Sequence, residues 1–200
     1  MPYNGLMGKH LTIFLLGAAF MACIPLSSFA GQGGDPVTLT FQEKQGHFDI
    51  IGHFSVQADS KVVWDTLTDF ENYPHFSHEL KKVNVTNPSP NHLTAEEMAE
   101  SGVLFFTQKV YFTLDIHLEP EKSILSKDTG HKSFVSYQSE WNLEPGNGRK
   151  TMELTYHLLA EGHFGGPAFM VNDTFKGGIK NFLESMRKEI LRRQENKFQK

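Results

Sequence analysis

The chain has 200 residues with a formal net charge of −4, and 39% of them are hydrophobic against 21% charged. That balance excludes an intrinsically disordered chain and fits one domain with a sizeable core. The negative charge counts against nucleic acid as a partner, because its binders present a basic face.

Near the N-terminus, Lys9 and His10 precede LTIFLLGAAFMACIPL, and Ser28-Phe29-Ala30 follows. A positive region, an apolar run and small residues just before Gly31 describe a secretory signal peptide over residues 1–30. The expectation is export, to a periplasm or out of the cell, with cleavage near Ala30. A retained membrane anchor is the alternative, but the run is short for a full span. Acylation of Cys23 is a further alternative, and Phe20-Met21-Ala22-Cys23 matches a lipoprotein site poorly. Cys23 is the single cysteine, so the cleaved chain has none. Core burial must then stabilise it, without a disulfide, cysteine-ligated zinc or a cysteine nucleophile.

Residues 31–46 read as a lead-in, with a candidate strand at 37–41. From residue 47, Phe48, Ile50, Phe54 and Val56 alternate with Asp49, His53, Ser55 and Gln57, the pattern of a half-buried strand. Ile51 and Gly52 are its irregularities. Asp59 offers a helix N-cap, and Val63, Leu67 and Phe70 form a helical stripe beside Trp64. Pro74 interrupts it and pushes Tyr73 out of the helical region, which predicts two short helices with a break over 69–74. Residues 81–86 read as a strand and Asn-Pro-Ser-Pro-Asn, 87–91, as a turn. HLTAEEMAES, 92–101, has helical propensity but the length and flanking turns of a strand, and on the residues alone both stay open.

Residues 103–118 give the clearest alternation. Leu104, Phe106, Val110, Phe112, Leu114, Ile116 and Leu118 share one face, opposite Thr107, Lys109, Thr113, Asp115 and His117. This is a long antiparallel strand with one apolar face. Residues 133–143 follow with Val135, Tyr137, Trp141 and Leu143, and 151–160 with Met152, Leu154, Tyr156 and Leu158, joined by a Pro-Gly-Asn-Gly turn. After Gly165-Gly166-Pro167, the spacing of Val171, Phe175, Ile179, Phe182, Met186 and Ile190 predicts an amphipathic helix of roughly 25 residues. Arg187, Lys188, Arg192, Arg193 and Lys197 suit the helix dipole at its end. Gly177-Gly178 inside it reads as a close backbone approach or a bend. The domain is placed at 47–195, with 196–200 as a tail.

Strand, two short helices, a run of antiparallel strands and a long C-terminal helix form an α+β order. With Phe54-Ser55-Val56, Ala58, Val63-Trp64-Asp65, Leu67-Thr68-Asp69-Phe70-Glu71 and Asn72-Tyr73-Pro74 before Phe76, the chain resembles the START-like (SRPBCC) helix-grip superfamily. Within it, the chain is similar to the polyketide cyclase/dehydrase and coenzyme Q-binding branch. Glu140-Trp141 and Gly166-Pro167 add weaker support, and the resemblance spans about residues 47–192. It implies a curved antiparallel sheet gripping the long helix, favours a strand at 92–101, and implies a deep apolar pocket for a lipid, sterol, quinone, polyketide or similar ligand. It carries over no shared catalytic motif. The signal peptide departs from the cytoplasmic setting of polyketide tailoring.

Several clusters were candidates for chemistry. His75 and His78, beside Glu79, supply at most two convergent ligands and miss the i, i+4 spacing of His-Glu-x-x-His, so no metal is expected there. Asp65 and Asp69 at i, i+4, and the acidic group Glu96, Glu97 and Glu100, read as solvated faces. Glycines 162, 165 and 166 lack the lysine and spacing of a phosphate loop. The expected ligand-binding set is Phe106, Phe112, Leu114, Tyr137, Trp141, Tyr156, Phe175, Phe182 and Met186, pointing between sheet and helix. Tyr137, Trp141 and Tyr156 could orient a polar ligand end. The expectation is therefore a monomeric, exported binding or carrier protein for a hydrophobic small molecule, without cofactor or metal. Transient membrane contact through the basic helix end is part of it. The alternatives are a cyclase, aromatase or hydrolase using the same pocket, and a protein-interaction module with a collapsed cavity.

Overall fold

Among the described residues, eight strands and three helices form, and all but one strand follow from these patterns. A computed structural model describes residues 34–199 except 104, 105, 149, 163 and 166, and except the side chains of 101–103, 106 and 108. The expected signal peptide over residues 1–30, with Cys23, lies outside the described residues. The strands are β1 (Thr38–Lys44), β2 (His47–Gln57), β3 (Leu80–Ser89), β4 (His92–Val103), β5 (Phe106–Glu119), β6 (Ser123–Asp128), β7 (Ser136–Pro145) and β8 (Thr151–Glu161). The helices are α1 (Ser60–Leu67), α2 (Tyr73–Phe76) and α3 (Ala168–Phe198), with a 3₁₀ turn at Phe70–Asn72. One antiparallel sheet runs in the order β1-β2-β8-β7-β6-β5-β4-β3.

The alternation in β2 buries Phe48, Ile50, Phe54 and Val56 on one face. Gly52 shares that parity, and its missing side chain has a purpose. A Cβ there would collide with Leu183 Cδ1 of α3. The strand thus lends its backbone to the helix, and Leu183, Met186 and Ile190 are fully buried against it and its neighbours. Side chains of this size each contribute about 1.5–3 kcal/mol when taken out of water.

Helix α3 approaches β1 and β2 on one flank of the sheet and β4 and β5 on the other. The middle strands β6, β7 and β8 stand farther back, so the sheet bends around the helix and leaves a space between them. α1 and α2 close against α3 at the side. This is the helix-grip arrangement.

Local details depart from expectation in instructive ways. Tyr73 is helical, at φ −52° and ψ −43°, although it precedes Pro74. Pro74 occupies the first turn of α2, where no intrahelical N–H is required. Tyr73 is buried and its hydroxyl donates to the Leu67 carbonyl, which holds the otherwise disfavoured conformation. Asp59 stands at the N-cap of α1 but does not cap it. Its carboxylate instead meets Lys197 at 2.8 Å and Lys150 at 3.1 Å, tying α1 to the far end of α3.

The predicted turn at 87–91 is shorter. β3 continues to Ser89 through an irregularity around Asn87, which takes φ 49°. The strand β6 was not foreseen. Its inward residues are Ile124, Ser126 and Asp128, and two of the three are polar, which conceals the alternation. The Asp128 carboxylate accepts backbone N–H groups from Thr113, Gly130 and His131 at 2.9–3.1 Å. The next strand starts at Ser136, not 133, so Val135 is 55% exposed and Phe134 takes the buried place. Helix α3 has 31 residues, longer than predicted, and Pro167 is its N-cap. Gly177 permits no tight approach: a Cβ there would meet nothing within 4 Å. β1 pairs with β2 along its length, within the segment set apart as a lead-in.

Candidate functional site

Between α3 and the inner face of the sheet lies a cavity of about 140 Å³. The strand alternation and the α3 stripe aim seven of the nine expected residues at it. Phe112 and Leu114 come from β5, Tyr137 and Trp141 from β7, Tyr156 from β8, and Phe175 and Phe182 from α3. Met186 is not a wall residue. It lies one turn beyond Phe182 and is fully buried in the core. The Phe106 side chain lies outside the described residues.

The walls form an aromatic lattice. Trp141 stands 4.9 Å from Tyr156 and 6.2 Å from Phe182, centroid to centroid. Phe134, missed in the sequence, stacks on Phe112 at 5.4 Å and meets Tyr137 at 5.3 Å. Such tilted and stacked contacts fix ring orientations beyond what area burial does.

One wall is polar. The Tyr137 and Tyr156 hydroxyls are 3.1 Å apart, and both phenols hydrogen-bond with Ser139. Burial pushes both phenols up in pKa, so they stay protonated. Glu97 joins them. The acidic group it belongs to had been read as solvated, and for Glu97 that reading is corrected. Leu93, Ala95, Glu97 and Ala99 share a parity on β4, and Leu93 and Ala95 are buried. Glu97 also pairs in register with Phe112, a cavity residue. Glu96, on the other parity, is exposed. The period of two that begins at Leu93 was the available signal for Glu97.

Glu97 is half-buried and lines the cavity. Among the described residues, no hydrogen bond or ion pair reaches its carboxyl. Burial alone pushes its pKa up to about 7. A second carboxylate, Glu79, also lines the cavity and accepts a hydrogen bond from the Ser77 hydroxyl at 3.2 Å. None of the described lining residues is Lys, Arg or His.

The remaining candidates lie elsewhere. His75 and His78 are both exposed and do not line the cavity. Asp65 pairs with Lys61 on the surface of α1, as a solvated residue does. Asp69 instead meets Arg193 of α3 at 2.7 Å. Much of the basic helix end is engaged internally: Arg192 and Arg193 both hold the buried Glu189, and Lys197 holds Asp59. On the outer face, Asp115 accepts from His92 and His117, the first of which does most to hold its carboxyl below the usual range. Their ligand atoms all lie within 4.8 Å of one another, a spacing that could hold an ion. This group is on the opposite side of the sheet from the cavity. Among the described residues, no helix is long and apolar enough to cross a membrane.

The family model described as "Polyketide cyclase / dehydrase and lipid transport" matches residues 56–187. The chain belongs to this family. Solved structures agree on the fold of this polyketide cyclase/dehydrase and lipid transport member. The Zhui aromatase/cyclase from Streptomyces sp. R1128 superposes with a TM-score of 0.62 at 12% identity, over 76% of this chain and 96% of that one. Human StAR-related lipid transfer protein 5 gives 0.60 at 11% identity, over 85% and 86%. A START superfamily protein from Mycobacterium smegmatis gives 0.58 at 18% identity, over 74% and 99%. No curated protein sequence matches the chain. At these identities the shared property is the helix-grip fold of the START/SRPBCC superfamily.

Proposed function

We propose that this family member is an exported, monomeric carrier that binds a hydrophobic small molecule in the cavity under α3. The observation that carries the reading is the cavity itself: aromatic and aliphatic side chains from six strands and α3 surround an open volume instead of filling it. A well-packed core leaves few voids larger than a water molecule. The family description includes lipid transport, and a structural neighbour is named a lipid transfer protein. Export rests on the signal-peptide pattern in residues 1–30.

The volume bears on the mechanism. About 140 Å³ accommodates a single ring, whereas drug-sized ligands occupy roughly 300–1,000 Å³. A lipid or isoprenoid therefore enters only if α3 or the α1–α2 segment moves off the sheet. The apolar body then leaves water, which supplies the affinity. Titrating the protein with apolar ligands while following fluorescence, with Trp141 in the wall, tests this reading. Saturable change is expected, and Ala99→Leu, which fills part of the cavity, weakens it at least tenfold. Equal response in that variant would overturn it.

A second reading rests on Glu97. A carboxyl with a pKa of about 7 is suited to give or take a proton at neutral pH, as an enzyme of the cyclase type requires. In that case Glu97→Gln abolishes turnover of a cyclisable polyketide while leaving its binding within about threefold.

A further inference from the structure

The cavity contains an unanswered question of charge. Glu97, half-buried, lines the cavity beside the Tyr137–Tyr156 wall, and no side chain among the described residues pairs with it. A carboxylate drawn partly out of water with no donor beside it is unfavourable, and a ligand's donor would relieve it. The groups that face it are Tyr73 from α2, Tyr137 from β7, Tyr156 from β8, and Glu79 ahead of β3. The part of α3 in the wall presents no charged side chain. Tyr73 donates to the Leu67 carbonyl, and the Tyr137 and Tyr156 hydroxyls are tied to each other. None of these neighbours supplies a cation.

We propose that the cavity selects an amphipathic ligand whose head donates a hydrogen bond, a hydroxyl or a protonated amine, seated on Glu97, and that it rejects a carboxylate or phosphate head. This rests on the carrier reading above and specifies its ligand class. The physical argument is one of sign. An anionic head would enter a poorly solvated space with two carboxylates and no Lys, Arg or His in the described wall. It would meet repulsion where screening by water is weakest. A hydroxyl finds an acceptor in either protonation state of Glu97, because a neutral carboxyl keeps its carbonyl oxygen. A protonated amine adds a charge-assisted bond when Glu97 is ionised. The Tyr137–Tyr156–Ser139 group, close enough to feel the Glu97 charge, lies beside the head and can accept or return further hydrogen bonds. The aromatic lattice around Trp141 and Phe182 takes the apolar body.

The test uses one apolar body with four ends. Propylbenzene, 3-phenylpropanol, 3-phenylpropylamine and 3-phenylpropionate are titrated into the purified full chain at pH 8 by calorimetry and NMR shift mapping, with wild type and Glu97→Gln. The expected result is that the alcohol and the amine bind at least tenfold more tightly than the carboxylate, with shifts at the cavity walls. In Glu97→Gln the amine weakens by tenfold or more, while the alcohol changes by less than threefold. If the carboxylate binds as well as the amine, or if propylbenzene binds and no headed probe does, the head-group assignment is overturned and the cavity reading survives. If no probe binds, propylbenzene included, the carrier reading falls with it.

Discussion

Burying a carboxyl costs far more when it is charged than when it is neutral, and Glu97 meets that penalty without a compensating cation among the described residues. Its pKa is raised to about 7 in the folded protein, above the ordinary carboxylate value. Below the unfolded value both states are protonated and the group is neutral in stability. Between about pH 4.5 and 7 the unfolded chain has released this proton and the folded one has not, so this group makes stability fall as pH rises. Above pH 7 the loss levels off. Glu97→Gln removes this slope and raises stability at pH 8 by roughly 1–3 kcal/mol, read by denaturant unfolding across pH. A variant less stable than wild type at pH 8 would show that the carboxylate has a partner in solution. Gly52 and Gly177 form a second contrast. Gly52→Ala drives a Cβ into Leu183, fully buried and with little room to yield, and lowers stability by about 1–3 kcal/mol. Gly177→Ala meets nothing and raises stability by about 0.5–1 kcal/mol. Thermal unfolding of the two variants should move in opposite directions.

Among the elements, α1 and α3 are joined by charges that sequence spacing does not show. Asp59 is held by Lys197 first and by Lys150, and its pKa drops to about 2. A depressed acid contributes stability above its unfolded pKa near 4 and loses it as pH falls through about 2. Asp59→Asn therefore weakens the protein at pH 7 and flattens the acid limb between pH 4 and 2. The effect stays under about 1 kcal/mol, because both lysines are half exposed and water screens the pairs. An unchanged acid limb would mean the pairs do not persist. The elements themselves were legible where one face is apolar and the other polar: β2, β5, β8 and α3 all follow from alternation or helical stripe. β6 was not legible, because its inward Ser126 and Asp128 are polar, and Asp128 is buried through hydrogen bonds that only the neighbouring strand and turn provide. β4 was ambiguous for the opposite reason. Its alanines and glutamates favour helix locally, and pairing with β3 and β5 overrides that preference.

At the scale of the whole molecule, the sheet bends around α3: the helix backbone comes near its two flanks and reaches the middle strands through side chains such as Phe182. Five of the 17 Phe, one of the 2 Trp and three of the 5 Tyr line the space this leaves. Seven expected wall residues were legible because strand parity and helix period aim them. Glu97 was missed because a cluster of acids looks solvated until its parity is read against Leu93 and Ala95. Met186 was misplaced because helical period assigns a face and not a depth. The central claim is that the cavity holds a hydrophobic molecule, and native mass spectrometry of the full chain after incubation with a total lipid extract tests it most directly. The account predicts a discrete added mass of one ligand per chain, lost in Ala99→Leu. Bare protein at every extract concentration, or the same adduct in Ala99→Leu, would contradict it.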